Sequence, residues 1–303
     1  MTYSVSVVIP NYNRQEPLLR AIDSVLEQTY LPTEILVVDD ASDFSVEEYL
    51  KERGYLDGPL LRVTRNPVNR GLSASRNLAF QQTSGQLIAL LDSDDWWHPD
   101  KLQQQIRLFE EDPTLDLVAT RDWIVKEHQT KERSLPFYSD QLFDRLITDW
   151  APPVPSTVVA KRAVYERTPY QESVRYQVDT DWWLSFALTE PRIARVDCPL
   201  AYYYAGDNDR LSGAYYVERF QKIESFIARW RDKIIALRGE AQFQIFRKRI
   251  LSYNAIDAFV EQYHRKNLPV AFQLYTKYLW SEKSFYQLLA HKIMPQVVQE
   301  NVQ

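Results

Sequence analysis

The chain has 303 residues, long enough for one large domain with an appendage or for two domains that each bury a core. With 36 Lys and Arg against 41 Asp and Glu its formal net charge is -5, which leaves no basic excess for a nucleic acid partner. One cysteine, Cys198, excludes an internal disulfide and fits a reducing cytoplasm, and His98, His128, His264 and His291 lack zinc-like spacing.

In chain order, "SVSVVIPNY" from residue 4 is a β-branched apolar run ended by proline, which predicts a buried strand followed by a loop at residues 10–15. Leu18, Ile22, Val25 and Leu26 then recur at helical spacing up to about Gln28. "EILVVDDAS" repeats the pattern of apolar strand and acidic loop, and "SVEEYLKERG" reads as a helix closed by Gly54. "LLRVTRN" is a third strand, and "LSASRNLAFQQTSG" a third helix, with Ser73 as its cap and Gly85 as its end. "LIALL" supplies a fourth strand. Strands alternating with helices predict an α/β fold with a mostly parallel sheet covered on both faces.

Beyond residue 100 the rhythm changes. "PDKLQQQIRLFEEDP" is a helix bounded by Pro99 and Pro113, "LDLVATRDWIV" is strand-like, and "WAPPVPSTVVAKRAVYE" opens with a proline-rich link. From residue 214 helices are expected to dominate. Phe220, Ile223, Ile227, Trp230, Ile234 and Leu237 form one series, closed by Gly239, and Phe246, Ile250, Tyr253, Ile256, Val260 and Tyr263 form another. Together they predict a helical hairpin, with shorter helices at about 269–280 and 283–293. No stretch approaches the roughly 18 apolar residues of a spanning helix, and the start lacks the basic region of a signal peptide, so a cytoplasmic protein is expected.

In an open parallel sheet, ligands bind beyond the carboxyl ends of the strands. Acidic groups gather there: Asp39 and Asp40 after one strand, and Asp92, Asp94 and Asp95 after the fourth, while Asn69 and Gly71 follow the third. Neither GxGxxG nor GxxxxGK[ST] is present, so a diphosphate must be held by other means, and carboxylates can recruit a hard cation to hold it. A lone acidic pair after a strand is ordinarily a turn or a cap, whereas two such pairs behind apolar strands point to a site. Arg76 by itself reads as a surface arginine, but after the polar, glycine-containing loop of "NRGLSASRN" it could face an anion.

"VSVVIPNYNR", "ILVVDDAS", "NRGLSASRN", "LIALLDSDD" and "YQESVRYQVDTDWWL" resemble, in order and spacing, the family 2 glycosyltransferases of GT-A fold, over about residues 4–213. The resemblance implies a Rossmann-like mixed sheet with helices on both faces, to which the spacing beyond residue 214 adds a C-terminal helical extension. Residues 1–95 would form the nucleotide half, 96–213 the acceptor half and 214–303 the helical region. It further implies inverting transfer of a sugar from a nucleotide diphosphate donor, a UDP or dTDP sugar, with Mn2+ or Mg2+, to a hydroxyl of a glycan, polysaccharide or lipid-linked acceptor. By motif position, Pro10, Tyr12, Asn13 and Arg14 would line the nucleotide pocket, with Asp40 and Asp39 at the base. Asn69, Gly71 and Arg76 would complete the pocket, Asp92 would approach the ribose, and Asp94 would be the metal ligand of the DXD motif. Asp179 would be the general base, with Asp181 as the second candidate.

The chain departs from the family at two points. Val178 stands where many relatives have a glutamate, and no histidine occurs near Gly206, where Asp207, Asp209 or Arg210 could substitute. These departures keep open a second class, a non-catalytic nucleotide-binding scaffold whose helical tail grips a partner. Trp123, Trp150, Trp182, Trp183 and Tyr202 to Tyr204 either stack on sugars or fill a core, and packing is the expected role of Trp96 and Trp97. The tail itself has three readings: packing on its own hairpin, a homodimer seam, and peripheral contact with the inner face of a membrane through "FRKRI" and "WSEKSFYQLLAHKIM".

Overall fold

The structure, a computed structural model, describes residues 3–126, 129–133, 136–149, 151–206, 216–264 and 272. The helices expected at 269–280 and 283–293 lie outside these residues, as do Asp207, Asp209 and Arg210. The chain divides into two compact units, one of residues 1–146 and 150–210, the other of 147–149 and 211–303.

In the first unit, strands β1 (Val5–Asn11), β2 (Glu34–Asp39), β3 (Leu61–Arg65) and β4 (Leu87–Leu90) are parallel, in the order β3-β2-β1-β4. Every residue of β1 and β4 is buried, as continuous apolar runs covered on both faces require. Helices α1 (Glu16–Leu26), α2 (Val46–Lys51) and α3 (Leu72–Gln82) make the crossovers. In α1, Leu18, Ala21, Ile22 and Val25 are buried against the sheet core of Val7, Ile9, Ile35 and Val37. Each such side chain contributes about 1.5–3 kcal/mol by leaving water. Leu26, expected on that face, is exposed, and the chain turns there under Gln28, whose amide bridges His98 O at 2.8 Å and Leu102 N at 3.0 Å.

Two expected helix signals read differently in the fold. Gly71, with φ of +83°, is the N-cap of α3, and Ser73 lies inside the helix. The helix stops at Thr83, and Gly85 instead opens β4, where its N–H donates to Ser6 Oγ at 2.8 Å. A Cβ on Gly85 would stand 2.5 Å from Ser6 Oγ and 2.6 Å from Ser6 N, so close backbone approach is what demands glycine.

After β4 come β5 (Trp96–Trp97), α4 (Lys101–Glu111), β6 (Leu117–Lys126) and β7 (Gln129–Glu132). Next are α5 (Leu142–Thr148), β8 (Val159–Lys161), α6 (Arg162–Arg167), α7 (Val178–Ala187) and β9 (Ile193–Tyr204). The sheet continues from β4 through antiparallel β8 to β6 and β9, which run parallel to each other, and ends at β5. The result is the expected mixed, mostly parallel α/β architecture.

In the second unit, α8 (Tyr216–Arg238) and α9 (Glu240–His264) are joined through Gly239, whose φ of +86° suits a helix stop. Phe220, Ile223, Ile227, Trp230 and Ile234 are buried as their spacing predicts, as are Phe246 and Ile250, whereas Leu237 is exposed. No described helix is long and apolar enough to cross a membrane.

Candidate active site

The carboxyl ends of the parallel strands form one edge, with Asn11, Asp39 and Arg65 in a single row of the register. The Asp39 carboxylate accepts from Ser42 N at 2.9 Å and pairs with Arg65. Asp40 accepts from Asn66 Nδ2 at 2.7 Å, Arg70 N at 2.9 Å and Gly71 N at 2.7 Å, which ties the loop after β3 to the loop after β2. Both acids are buried, and both hold the shape of the edge. Pro10 is buried in β1, Tyr12 is exposed, and Asn13, at φ +53°, pairs through its amide with Asp43. Asn69 is exposed. Asn11, which sequence reasoning passed over, is buried at the strand end, and neither atom of its side-chain amide is hydrogen-bonded among the described residues.

Arg76 is fully buried, and the anions it faces are the chain's own. Its Nη1 lies 2.6 Å from Asp179 Oδ1 and its Nη2 2.8 Å from Asp92 Oδ1. Burial works against its charge, but Tyr170, Asp179 and Asp92 outweigh that and hold the guanidinium protonated. The Tyr170 ring lies 4.9 Å from it and stacks on Trp182 of α7 at 5.5 Å. The next residue of α3, Asn77, clamps the Tyr170 main chain at both N–H and C=O, at 3.0 and 2.8 Å. In this way α3 fixes the segment that leads into α7, whose first turn carries Asp179 and Asp181.

Asp179 is half-buried, whereas Asp181 is only 2% exposed. Burial pushes the Asp179 carboxyl up, Arg76 pulls it down and Asp92 adds to the rise, with a net upward direction. Val178 faces the core. Trp182 and Trp183 are core groups, packed edge-on to each other.

The loop after β4 separates three carboxylates by environment. Asp95 is buried and accepts from Ser156 Oγ at 2.6 Å and from Tyr204 N at 2.9 Å, tying the loop to β9. Burial, with Asp94 and Asp92 nearby, pushes its pKa well up. Ser156, unremarked in the sequence, also accepts from Asp92 N at 3.1 Å, and its carbonyl takes the Trp97 indole N–H at 2.7 Å. Asp94 is partly exposed, with Arg14 Nη2 at 3.2 Å and its carbonyl held by Arg20 at 2.7 Å. Trp97 is buried, as expected, and Trp96 stacks on Tyr202 at 5.2 Å. No group of three or more His, Cys, Asp or Glu side chains converges among the described residues.

A parallel nucleotide-type half sheet extended by mixed strands, with acids at its carboxyl edge, is the fold of GT-A transferases. The solved structure of S. aureus TarS 1-349 in complex with UDP-GlcNAc matches with TM-score 0.59 at 18% identity, covering 83% of this chain and 80% of that one. The mannosyltransferase PcManGT from Pyrobaculum calidifontis, in complex with GDP-Man and Mn2+, matches with TM-score 0.57 at 19% identity over 96% of this chain and 79% of its own. The profile of Glycosyl transferase family 2 matches residues 6–173, and the chain belongs to that family. WfgD of Escherichia coli, a UDP-Glc:alpha-D-GlcNAc-diphosphoundecaprenol beta-1,3-glucosyltransferase, is 38% identical over 110 residues, which are 35% of this chain and 41% of WfgD. The match spans less than half the length of several curated relatives.

Proposed function

We propose that the chain is an inverting glycosyltransferase that moves a sugar from a UDP or dTDP sugar to a hydroxyl of a glycan, polysaccharide or lipid-linked acceptor, with Asp179 as general base. The observation that carries this reading is the joining of Asp179 to Asp92 through one buried guanidinium, at the edge where the strand-end carboxylates gather. Asp179 Oδ2 has no hydrogen bond from the described residues, and it is the atom that accepts the acceptor hydroxyl proton as the oxygen attacks the anomeric carbon. General base catalysis of this kind supplies on the order of a hundred to ten thousandfold. The bond to the diphosphate breaks in the same displacement, so the anomeric centre inverts and no covalent intermediate forms.

On the donor side, Pro10, Tyr12, Asn13, Asp39, Asp40, Asn69 and Gly71 line the nucleotide, and Asp92 meets the ribose. Asp94 is the ligand this reading gives the cation; no group of three or more His, Cys, Asp or Glu side chains converges among the described residues, and a hard cation needs about six oxygens. The diphosphate and water would supply the rest, and the cation, Mn2+ or Mg2+, would offset charge on the leaving group. Arg14, beside Asp94, adds positive charge at the same place. The names of WfgD and of the two structural neighbours support a nucleotide sugar donor, and WfgD supports a lipid-linked acceptor. The helical unit from about residue 214 is read as the part that meets the membrane carrying such an acceptor from its cytoplasmic face, or a second copy of the chain. Flotation with anionic liposomes and light scattering test these two uses.

The test of the reaction is release of nucleoside diphosphate from a panel of donors with candidate acceptors, with the product anomer read by NMR. Turnover with inversion is expected, lost in Asp179→Asn and in Asp94→Ala. Nucleotide binding without release across the panel would instead favour a non-catalytic scaffold.

A further inference from the structure

We infer that Arg76 is the positioning residue of Asp179, clamping the base to the donor-side carboxylate Asp92. The inference rests on the reading of Asp179 as base. Three observations carry it. Arg76 has no exposed surface, so its two terminal nitrogens are spent on Asp179 and Asp92, and its Nε meets no partner among the described residues. Its position is set by the fold, through the Tyr170 ring beside it and the Asn77 clamp on the Tyr170 main chain. Val178, at the start of α7, points into the core and offers Asp179 nothing polar.

The physical consequence concerns both geometry and charge. One Asp179 oxygen is anchored at 2.6 Å, which fixes the plane of the carboxylate and the direction of the other oxygen. Burial of Asp179 favours the protonated acid, which is useless as a base, and the guanidinium favours the carboxylate. The other titratable groups facing Asp179 are Asp92, Tyr165 and Tyr170. Asp92 disfavours ionisation of Asp179. Arg76 is therefore the positive group that lets two carboxylates share this pocket.

The experiment compares Arg76→Gln and Arg76→Lys with wild type and Asp179→Asn, all in the full chain. Isothermal titration with UDP and Mn2+ reports whether the donor pocket persists. The Asp179 carboxyl is titrated by 13C NMR, its resonance assigned by its loss in Asp179→Asn. Turnover of the donor selected by the panel is followed against pH. Arg76→Gln is expected to raise the Asp179 midpoint by about one unit or more and to lower kcat at pH 7 about a hundredfold, with donor KM within about threefold. Arg76→Lys keeps the charge but loses the fork, and should lose only about tenfold in kcat with a smaller shift. If Arg76→Gln does not fold, Arg76→Lys carries the same comparison. An unmoved Asp179 midpoint, or a loss of UDP affinity as large as the loss of turnover, would overturn the inference and return Arg76 to the nucleotide pocket. Full activity of Asp179→Asn would sink the base assignment separately, because the NMR midpoint still decides what Arg76 does to Asp179.

Discussion

Glu34 offers a direct test of how polar contacts hold the parallel half of the sheet. Its carboxylate accepts from Ser6 Oγ at 2.8 Å, Ser84 N at 2.6 Å and Ser84 Oγ at 2.9 Å, and pairs with Arg62 at 2.9 Å. These contacts join β1, β2, β3 and the turn between α3 and β4. Burial alone would raise its pKa, but the donors from Ser84, Ser6 and Arg62 outweigh burial and bring it from 4.5 down to about 2. The difference of about 2.5 units, at about 1.36 kcal/mol each, is about 3 kcal/mol, which solvent around the half-exposed Arg62 reduces to about 1–2 kcal/mol. Because the folded pKa lies below the unfolded one, this stability is complete above about pH 4.5 and is lost as the pH falls from there towards 2. Glu34→Gln should lower the melting temperature of the first unit by about 2–8 °C at pH 7 and flatten the acid decline between pH 4.5 and 2. Circular dichroism melts of both proteins at pH 7, 4 and 3 measure this. A constant gap between the two at every pH would refute the linkage argument.

Three further outcomes are expected. Gly85→Ala should cost more than about 2 kcal/mol in urea denaturation, because its Cβ meets the Ser6 backbone N as well as Ser6 Oγ, and the backbone cannot swing aside. Lys101 is fully buried with Gln105 as its hydrogen-bond partner and the Trp97 ring at 4.0 Å, and burial drives its pKa well down. A base whose pKa is lowered by folding destabilises the fold below its unfolded pKa, so Lys101→Met should raise the melting temperature at pH 7 and the gain should shrink towards pH 10. On the proposed role of Asp94, with no group of three or more His, Cys, Asp or Glu side chains converging among the described residues, Mn2+ alone should bind weakly in calorimetry, and UDP should tighten it by about tenfold or more in wild type but not in Asp94→Ala.

Local patterns were enough for the first half of the chain. Buried parallel strands are continuous apolar runs, and their carboxyl ends are marked by acids, so β1 to β4 and the edge they form can be read from "VSVVIP", "EILVVDD" and "LIALLDSDD". Helices α1, α4, α8 and α9 carry stripes of apolar residues at three and four spacing, which also survives in the fold. Glycine was the weak signal. Gly85 looks like a helix end and serves a backbone contact, while Gly71 looks like part of a loop and caps α3.

Composition, strand pattern and motif order by themselves determined that this is an α/β chain of Glycosyl transferase family 2 with its acids at one sheet edge. Only the tertiary structure decided what each acid does. Asp92, Asp94 and Asp95 are near neighbours in sequence with the same side chain, yet one pairs with Arg76, one with Arg14, and one is buried under Ser156 and Tyr204. Likewise Arg76 and Asp179 lie 103 residues apart, and nothing local in either segment specifies their contact. The reason is physical: burial and the distance to an opposite charge set the state of a carboxylate, and both are created by packing between segments remote in sequence.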